Sequence, residues 1–455
     1  MKVVSNQIFQ TTSSEQKRLV LLCFLIVLLI SVLIRIFLFS SYLPVSYNDT
    51  PSYWRSAEAV LHGFENYDGT RTPGYPAFLA IAGSEKVVYA IQLGLGVLVS
   101  LTFFFLGWKL TQNPVFGTLI GLSHTLNAGQ VFFEANILTE TLTTFWLVAS
   151  ILCAYFWIKK PGWRRAWLLL LAGLTSALAV LTRPLFIFMP VLLGTFLAIS
   201  SSEKRLKLDW RPIVLVLLLA TIMISGWMLW VNSHFGIFNL STMSGFHLVQ
   251  HTGYYFEDVP DEDAILRDVY LDFREERIAQ YGTQGNTIWD AIPEMQKASG
   301  LGFYDLSKEL QRISVDLIKS HPWLYMKYAF KGWWMFWRAP VYWSADSLQI
   351  PGLAKVVQFY ITSNRILLFG ANLVFILSSI VAVFCKKVRD LWQIKPILWI
   401  MAGTVWVTSV FQTLLDHGDN PRFLVPIQSM LVFWVIWIGY YSWLGIKKSH
   451  QRVAT

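Results

Sequence analysis

YNDTPSYWRSAEAVLHGFENYDGTRTPGYP, residues 47–76, is the polar stretch between the first two long apolar runs of the chain. Asp49 stands just before Pro51, and Asp is favoured immediately ahead of a helix whose first turn carries a proline. Apolar residues then recur at three- and four-residue spacings up to about His62, which predicts a short helix lying in a membrane interface. Two prolines and a glycine make residues 71–76, RTPGYP, a stiff turn after this helix.

The order of these features resembles the GT-C superfamily of polytopic membrane glycosyltransferases. The shared pattern is an acidic residue after the first apolar span, a short interfacial helix, and a turn in which prolines follow a basic residue. The chain looks most like the branch of protein mannosyltransferases and aminoarabinose-lipid A transferases. The resemblance covers mainly residues 30–200 and more loosely 321–337 and 416–426.

The resemblance implies an inverting hexosyl- or pentosyltransferase in which the acceptor attacks the donor directly. Such an enzyme takes its sugar from a polyprenyl-phosphate-linked donor and passes it to an extracytoplasmic acceptor, which is a lipid, a glycan or a protein. It uses no cofactor, because the lipid-linked sugar is itself the substrate.

The composition is that of an integral membrane protein. Of the 455 residues, 55% are hydrophobic and only 14% are charged, and many uncharged runs are long enough to cross a bilayer. The formal net charge of +9 comes from short basic clusters beside apolar runs, which is the positive-inside pattern. We therefore expect membrane lipids and lipid-linked substrates as partners and no nucleic acid.

Ten apolar runs are long enough to be read as membrane spans. They lie at 19–43, 87–108, 114–129, 138–158, 166–182, 184–200, 212–232, 364–385, 396–414 and 423–446. With the N-terminus in the cytoplasm, every inside turn is basic, and the C-terminus is cytoplasmic too. The sequence thus predicts an all-α polytopic membrane protein of about ten transmembrane helices in the plasma (inner) membrane, with its active site on the outer face.

The spans divide the chain into three regions. Residues 1–232 form a seven-span GT-C-like module with its first outer loop at 44–86, residues 233–362 form a large extracytoplasmic loop, and residues 363–455 carry three C-terminal spans. The composition of the large loop shifts twice, which favours interfacial helices over a separately folded domain. Its aromatic part, 321–337, is rich in Trp and Tyr, which favour the headgroup level of the membrane.

Transfer of a sugar from a prenyl phosphate needs a carboxylate to accept the proton of the attacking group. Asp49 is the first candidate for this base, with the alternative that it only caps the helix that follows. Glu140, at the outer start of the fourth span, is the second acidic candidate, since the resemblance implies an acid close to the first one. Glu134 competes with Glu140 for this role.

The reaction also needs cations that stabilise the leaving phosphate. Arg71 matches the basic residue before proline in the family's turn, and a guanidinium can contact two phosphate oxygens at once. Arg183, in a hinge between two spans, and Arg422, in an arginine-aromatic-proline entry to the last span, are further candidates. For these two, snorkelling to lipid headgroups is the alternative.

Other kinds of site find little support. His417 lies between Asp416 and Asp419, but no further ligand follows at a telling spacing, so we predict no metal. No nucleotide-binding or serine-nucleophile motif occurs in a suitable context.

Two other functions stay open. A transporter or lipid flippase would place ionisable groups at mid-membrane, where this chain mostly does not; the exceptions are Arg35 and His124. A polymerase or ligase of surface polysaccharide also uses outward loops and lipid-linked sugars, and only the pattern of residues 47–76 argues against it.

Overall fold

A computed structural model describes residues 13–201, 209–415 and 421–453. Helices make up almost all regular structure in these ranges, which contain two isolated β-bridges and no strand. Eight of the described helices are long and apolar enough to cross a membrane. The prediction of an all-α polytopic membrane protein is therefore confirmed.

In chain order, the α-helices are α1 Ser13–Ser41, α2 Thr50–Leu61, α3 Gly74–Ala82, α4 Glu85–Thr111, α5 Pro114–Thr125, α6 Ala128–Ala135, α7 Glu140–Lys159, α8 Ala166–Thr182, α9 Met189–Ser201, α10 Arg211–Phe235, α11 Ser244–Thr252, α12 Ala264–Tyr281, α13 Thr287–Ser299, α14 Phe303–Ser320, α15 Pro322–Phe336, α16 Ala354–Phe384, α17 Lys386–Leu391, α18 Pro396–Leu415 and α19 Val425–Val453. Short 3-10 helices lie at Trp163–Arg165, Pro184–Phe188, Gly253–Asp258, Asp261–Asp263, Ala345–Ser347 and Pro421–Leu424. The long apolar helices are α1, α4, α7, α8, α10, α16, α18 and α19, where α8 and α19 are taken together with the 3-10 helix before each of them.

The other two predicted spans are shorter in the structure. The run at 114–129 is divided between α5 and α6, and the Asn127 side chain starts α6 by accepting a hydrogen bond from the backbone N–H of Gln130. The run at 184–200 combines a 3-10 helix with α9. Proline at its start cannot donate a backbone hydrogen bond, so α8 ends there and Arg183 adopts an extended backbone (φ −146°, ψ 105°).

The large segment between α10 and α16, which is predicted to lie outside, has a hydrophobic core of its own. Because α10 and α16 extend past the predicted spans, this segment runs from 236 to 353. Its core is built from buried side chains of α11 to α14 and the 3-10 helix between α11 and α12. The buried face of α14 repeats at three- and four-residue spacings, with Leu306, Leu310, Ile313 and Leu317. The segment is thus a packed helical unit, which its composition did not indicate.

Helix α15 covers the aromatic stretch that was predicted to be interfacial. One face binds the membrane helix α18: the Tyr325 hydroxyl donates to the Leu414 carbonyl (2.6 Å), and the Trp333 indole N–H donates to the Ser409 hydroxyl (3.3 Å). The opposite face exposes large apolar side chains, namely Trp323, Met326, Phe330 and Trp334. This two-sided pattern is that of a helix lying at the membrane surface.

Two close approaches bring the first outer loop to the membrane helices. Val45 exchanges backbone hydrogen bonds with Ala135 and Ile137 (both 3.0 Å), which holds the chain leading to α2 against the start of α7. The backbone of Gly74 lies so close to α8 that a Cβ there would be 2.6 Å from the Leu181 carbonyl oxygen. The starts of α2, α3 and α7 and the end of α8 therefore meet in one place.

Candidate active site

Asp49 stands at the point where these elements meet. It is the residue before α2, but its side chain makes no capping hydrogen bond to that helix. The neighbouring Thr50 anchors the helix start instead, because its hydroxyl donates to the Ile137 carbonyl (3.0 Å). The carboxylate of Asp49 is directed to two arginines, so a capping role does not account for this side chain.

Arg71 is the first of these arginines. Its Nη2 lies 2.9 Å from Asp49 Oδ1, and its Nε donates to the Ser52 hydroxyl at the same distance. The guanidinium also stacks on the Tyr53 ring, 4.6 Å from its centroid. The stiff turn at 71–76 thus holds Arg71 against the first turn of α2.

Arg422 is the second arginine, and it links two carboxylates. Its Nη2 lies 2.5 Å from Asp49 Oδ2, and its Nε lies 3.6 Å from Glu140 Oε1. The contact with Asp49 joins residues 373 positions apart in the chain. Arg422 therefore ties the start of the last span to the first outer loop.

Arg183 completes the group and contacts the same oxygen of Glu140 as Arg422 does. Its Nη1 lies 2.7 Å from Glu140 Oε1 and 3.2 Å from the Thr139 hydroxyl oxygen. Its guanidinium stacks on the ring of Phe423, at 4.3 Å. The extended backbone at Arg183, set by the proline after it, turns this side chain toward α7.

These five side chains form one continuous chain of ion pairs, in the order Arg71, Asp49, Arg422, Glu140 and Arg183, which we call the Asp49 cluster. Asp49, Arg71 and Arg422 keep 25%, 19% and 18% of their side-chain surface exposed, while Glu140 and Arg183 keep 1% and 7%. Three cations and two carboxylates leave one positive charge. The open end of the cluster is thus suited to an anion.

The arginines change the acidity of Asp49. Burial alone would raise the pKa of this carboxyl, but Arg422 and Arg71 outweigh it and hold the pKa well below its usual range. A carboxylate in this state is ionised at neutral pH but is a weak base, because a catalytic base works best with a pKa near the working pH. Its basicity rises only if the arginines are drawn to another anion.

Glu134 lies outside the Asp49 cluster and has its own partner. Its Oε1 and Oε2 accept hydrogen bonds from Nη2 and Nε of Arg35, at 2.6 and 2.8 Å. Both side chains are almost fully buried, at 2% and 3% exposure. A Cβ at Gly96 would be 2.0 Å from the Glu134 carboxylate, so a glycine is needed beside this pair. Of the two competing acids, only Glu140 joins Asp49.

Five of the six candidates of the sequence are brought together, all except Glu134, and several side chains that support them were not foreseen. Ser52 and Tyr53 hold Arg71, and Phe423 lies against Arg183. A signal existed for Ser52, because it follows Asp49 by three residues and so shares its side of the helix. Phe423 was recognised only as the aromatic residue of a motif.

The part of the chain that the structure describes contains no identified metal site. In the described ranges, no group of three or more His, Cys, Asp or Glu side chains is placed to hold an ion. The sequence Asp416, His417 and Asp419 lies outside the described residues.

Comparisons with known proteins are sparse. No family model matches the chain, and no curated protein matches it in sequence. Among solved structures, it is similar to the crystal structure of the Archaeoglobus fulgidus oligosaccharyltransferase in the apo form, with a TM-score of 0.48 and 16% sequence identity. The similarity covers 96% of this chain and 52% of that one, so the chain spans about half the length of the structure that it matches.

Proposed function

We propose that this protein is a membrane glycosyltransferase that moves a sugar from a polyprenyl-phosphate-linked donor to an extracytoplasmic acceptor. The observation that carries the proposal is the Asp49 carboxylate, held between two partly exposed arginines at the ends of apolar helices. A base and two phosphate-binding cations are the groups that such a transfer requires.

The charge of the Asp49 cluster fits a phosphate-linked donor. A prenyl-phosphate sugar carries one negative charge, and the single uncompensated positive charge of the cluster balances it. As the sugar leaves, the phosphate gains negative charge, and guanidinium groups stabilise this charge through charge-assisted hydrogen bonds. Arg71 and Arg422, which are the more exposed arginines, are the ones we assign to the phosphate.

Donor binding would also activate the base. The phosphate competes with Asp49 for Arg71 and Arg422, and each contact that moves to the phosphate removes a cause of the low pKa of Asp49. The carboxylate becomes more basic only when the donor is in place. This coupling protects the donor from premature reaction, because the empty site holds a poor base.

The transfer itself is a direct displacement. The acceptor oxygen or nitrogen forms a bond to the anomeric carbon, and the bond between that carbon and the phosphate oxygen breaks, leaving its electron pair on the phosphate. The acceptor proton passes to the Asp49 carboxylate. One displacement of this kind inverts the anomeric carbon.

Glu140 takes a different role from Asp49 in this proposal. At 1% exposure, and with Arg183 2.7 Å away, its carboxylate is not open to an acceptor. It lies behind Arg422 and shares it with Asp49. We therefore assign Glu140 to positioning Arg422 and Arg183, and the base to Asp49 alone.

The experiment is a transfer assay in proteoliposomes. Purified protein is reconstituted with radiolabelled polyprenyl-phosphate sugars and a membrane extract that supplies acceptors, and consumption of donor is measured. Asp68→Asn is the matched control, since Asp68 is an exposed aspartate of the same loop whose carboxylate bonds only to Thr70 among the hydrogen bonds found. Consumption by the wild type and Asp68→Asn, but not by Asp49→Asn, is expected. Donor left intact by all three proteins, across hexosyl and pentosyl donors, would contradict the proposal.

A further inference from the structure

A cleft of about 440 Å³ lies between α2 and α3, on the other side of α2 from Arg71. Pro51, Trp54 and Leu61 of α2 and Leu79 and Ala80 of α3 line it, together with Arg55 and Glu58 at its rim. The volume falls within the range of roughly 300 to 1,000 Å³ that small-molecule sites occupy. The lining between the charged rim residues is apolar.

Helix α2 separates this cleft from the Asp49 cluster. Its residues Ser52 and Tyr53 face Arg71, whereas Pro51 and Trp54 face the cleft. The two sites nevertheless adjoin at the start of the helix, because Pro51 is only two residues from Asp49. A molecule lying along the cleft would have one end beside the Asp49 cluster.

The two ends of the cleft differ in polarity. The first turns of α2 and α3 lie side by side, since the Tyr53 and Tyr75 rings pack edge to face with centroids 5.1 Å apart. At the far end, Leu61 of α2 is 67% exposed. Exposed aliphatic side chains of this size on interfacial helices are suited to hydrocarbon. The cleft therefore leads from the neighbourhood of an ionic site to an exposed apolar end.

We propose that this cleft holds the isoprene units of the donor that are nearest its phosphate. The proposal rests on the proposed function, because it takes the phosphate to lie at Arg71. The polarity gradient matches a prenyl phosphate, whose single anionic group is followed by a long hydrocarbon chain. The hydroxyl groups of a sugar would find few hydrogen-bonding partners in the apolar lining. A diacyl lipid would have to place two acyl chains in a single cleft.

The charged rim is consistent with this occupant. Arg55 and Glu58 are exposed and lie one helical turn apart. Both side chains can reach the headgroup level while the apolar lining residues Trp54 and Leu61, on either side of them along the helix, stay at the hydrocarbon boundary. A charged rim beside an apolar lining thus fits an α2 that lies at the headgroup level.

The test compares two neighbouring tryptophan substitutions. Ala80→Trp fills the cleft, while Ile81→Trp places the same side chain on the exposed face of α3 as a control. Affinities for decaprenyl phosphate and for geranyl phosphate, which has two isoprene units, are measured on the purified protein. We expect Ala80→Trp to weaken decaprenyl phosphate at least about tenfold, which corresponds to two methylene groups that lose their burial. Ile81→Trp should bind as the wild type does.

A second pair of variants tests the cleft independently, in case Ala80→Trp prevents folding. Leu61→Asp puts a charge at the far end of the cleft, where the side chain is already exposed, and His62→Asp is its control outside the lining. Leu61→Asp should weaken decaprenyl phosphate and leave geranyl phosphate unchanged. If both Leu61→Asp and Ala80→Trp bind decaprenyl phosphate like the wild type, the cleft inference is wrong, although the proposed function stands.

Photo-crosslinking distinguishes the remaining outcomes. A decaprenyl phosphate carrying a diazirine near its phosphate should label residues 51–61 or 79–83, and unlabelled decaprenyl phosphate should compete. Labelling by a diazirine phosphatidylethanolamine that decaprenyl phosphate cannot displace would show bulk lipid in the cleft and overturn the inference. If the wild type binds neither prenyl phosphate, the proposed function itself fails.

Discussion

Replacement of Asp49 by Asn separates catalysis from donor binding more sharply than any other single change. The amide has nearly the same shape and cannot accept the acceptor's proton, so turnover should fall by about 10²- to 10⁴-fold, the usual contribution of a general base. Because the Asp49 side chain does not cap α2, the helix itself should be unaffected. The charge of the Asp49 cluster rises from +1 to +2, since one carboxylate is lost.

Donor binding should therefore strengthen while turnover falls. At an effective dielectric constant of about 20, two unit negative charges about 6 Å apart repel by about 3 kcal/mol. Solvent at this partly exposed site reduces that value, so loss of the Asp49 charge should tighten prenyl phosphate binding by roughly tenfold, or about 1.4 kcal/mol. The substitution also removes the anion that competes for Arg71 and Arg422.

The assay pairs prenyl phosphate affinity with donor consumption in proteoliposomes, and Asp68→Asn serves as the control. Thermal unfolding of the detergent-solubilised variant shows whether the fold is kept. Wild-type turnover in Asp49→Asn would refute Asp49 as the base. Weaker prenyl phosphate binding in a folded Asp49→Asn protein would refute the competition between phosphate and carboxylate.

Three further predictions concern the partners of Asp49 and the topology. Arg71→Lys keeps the charge but loses the planar guanidinium that contacts both Asp49 and Ser52, so prenyl phosphate affinity should fall by about tenfold. Unchanged affinity would show that other cations bind the phosphate. Glu140→Gln leaves Arg183 without its buried counter-ion and Arg422 with Asp49 alone, so it should lower protein stability by about 3 to 5 kcal/mol. A fall in the unfolding temperature would reveal this loss, and an unaltered unfolding temperature would contradict the role assigned to this acid. A cysteine introduced at Asp290 should react with an impermeant maleimide from outside the cell, and labelling only from the cytoplasm would reverse the proposed topology.

The candidate residues were accessible from the sequence because their signals are local. Asp49 ahead of Pro51 and the stiff turn after Arg71 are patterns of a few neighbouring residues that follow from backbone preferences. The resemblance to GT-C enzymes is what marked these residues as candidates. The apolar runs likewise determine most spans, since a helix that crosses hydrocarbon must satisfy its backbone internally.

The contacts between these residues could not be predicted from the sequence, because they depend on packing between segments that are far apart in the chain. Nothing near Arg422 indicates that it reaches Asp49 across 373 positions. The pairing of Glu134 with Arg35 depends on the space beside Gly96, and the approach of the first outer loop depends on Gly74. Such close approaches arise only in the folded chain, and no periodic pattern of residues in the sequence predicts them.

The outer segment shows a second limit of sequence patterns. The shifts in composition along the large loop favoured interfacial helices over a separately folded domain, yet the apolar residues of α14 follow helical spacing and form one buried face. The packed helices keep their charged side chains outside this core, where they form ion pairs such as Arg312 with Asp263.

The most direct measurement is mass spectrometry of the lipids that co-purify with the protein. The account predicts a polyprenyl phosphate, with or without its sugar, bound to the wild type and to Asp49→Asn, and depleted in Arg71→Ala. A wild-type protein that carries phospholipids alone, and that takes up no added decaprenyl phosphate, would contradict the claim that the Asp49 cluster is a site for a prenyl-phosphate-linked sugar.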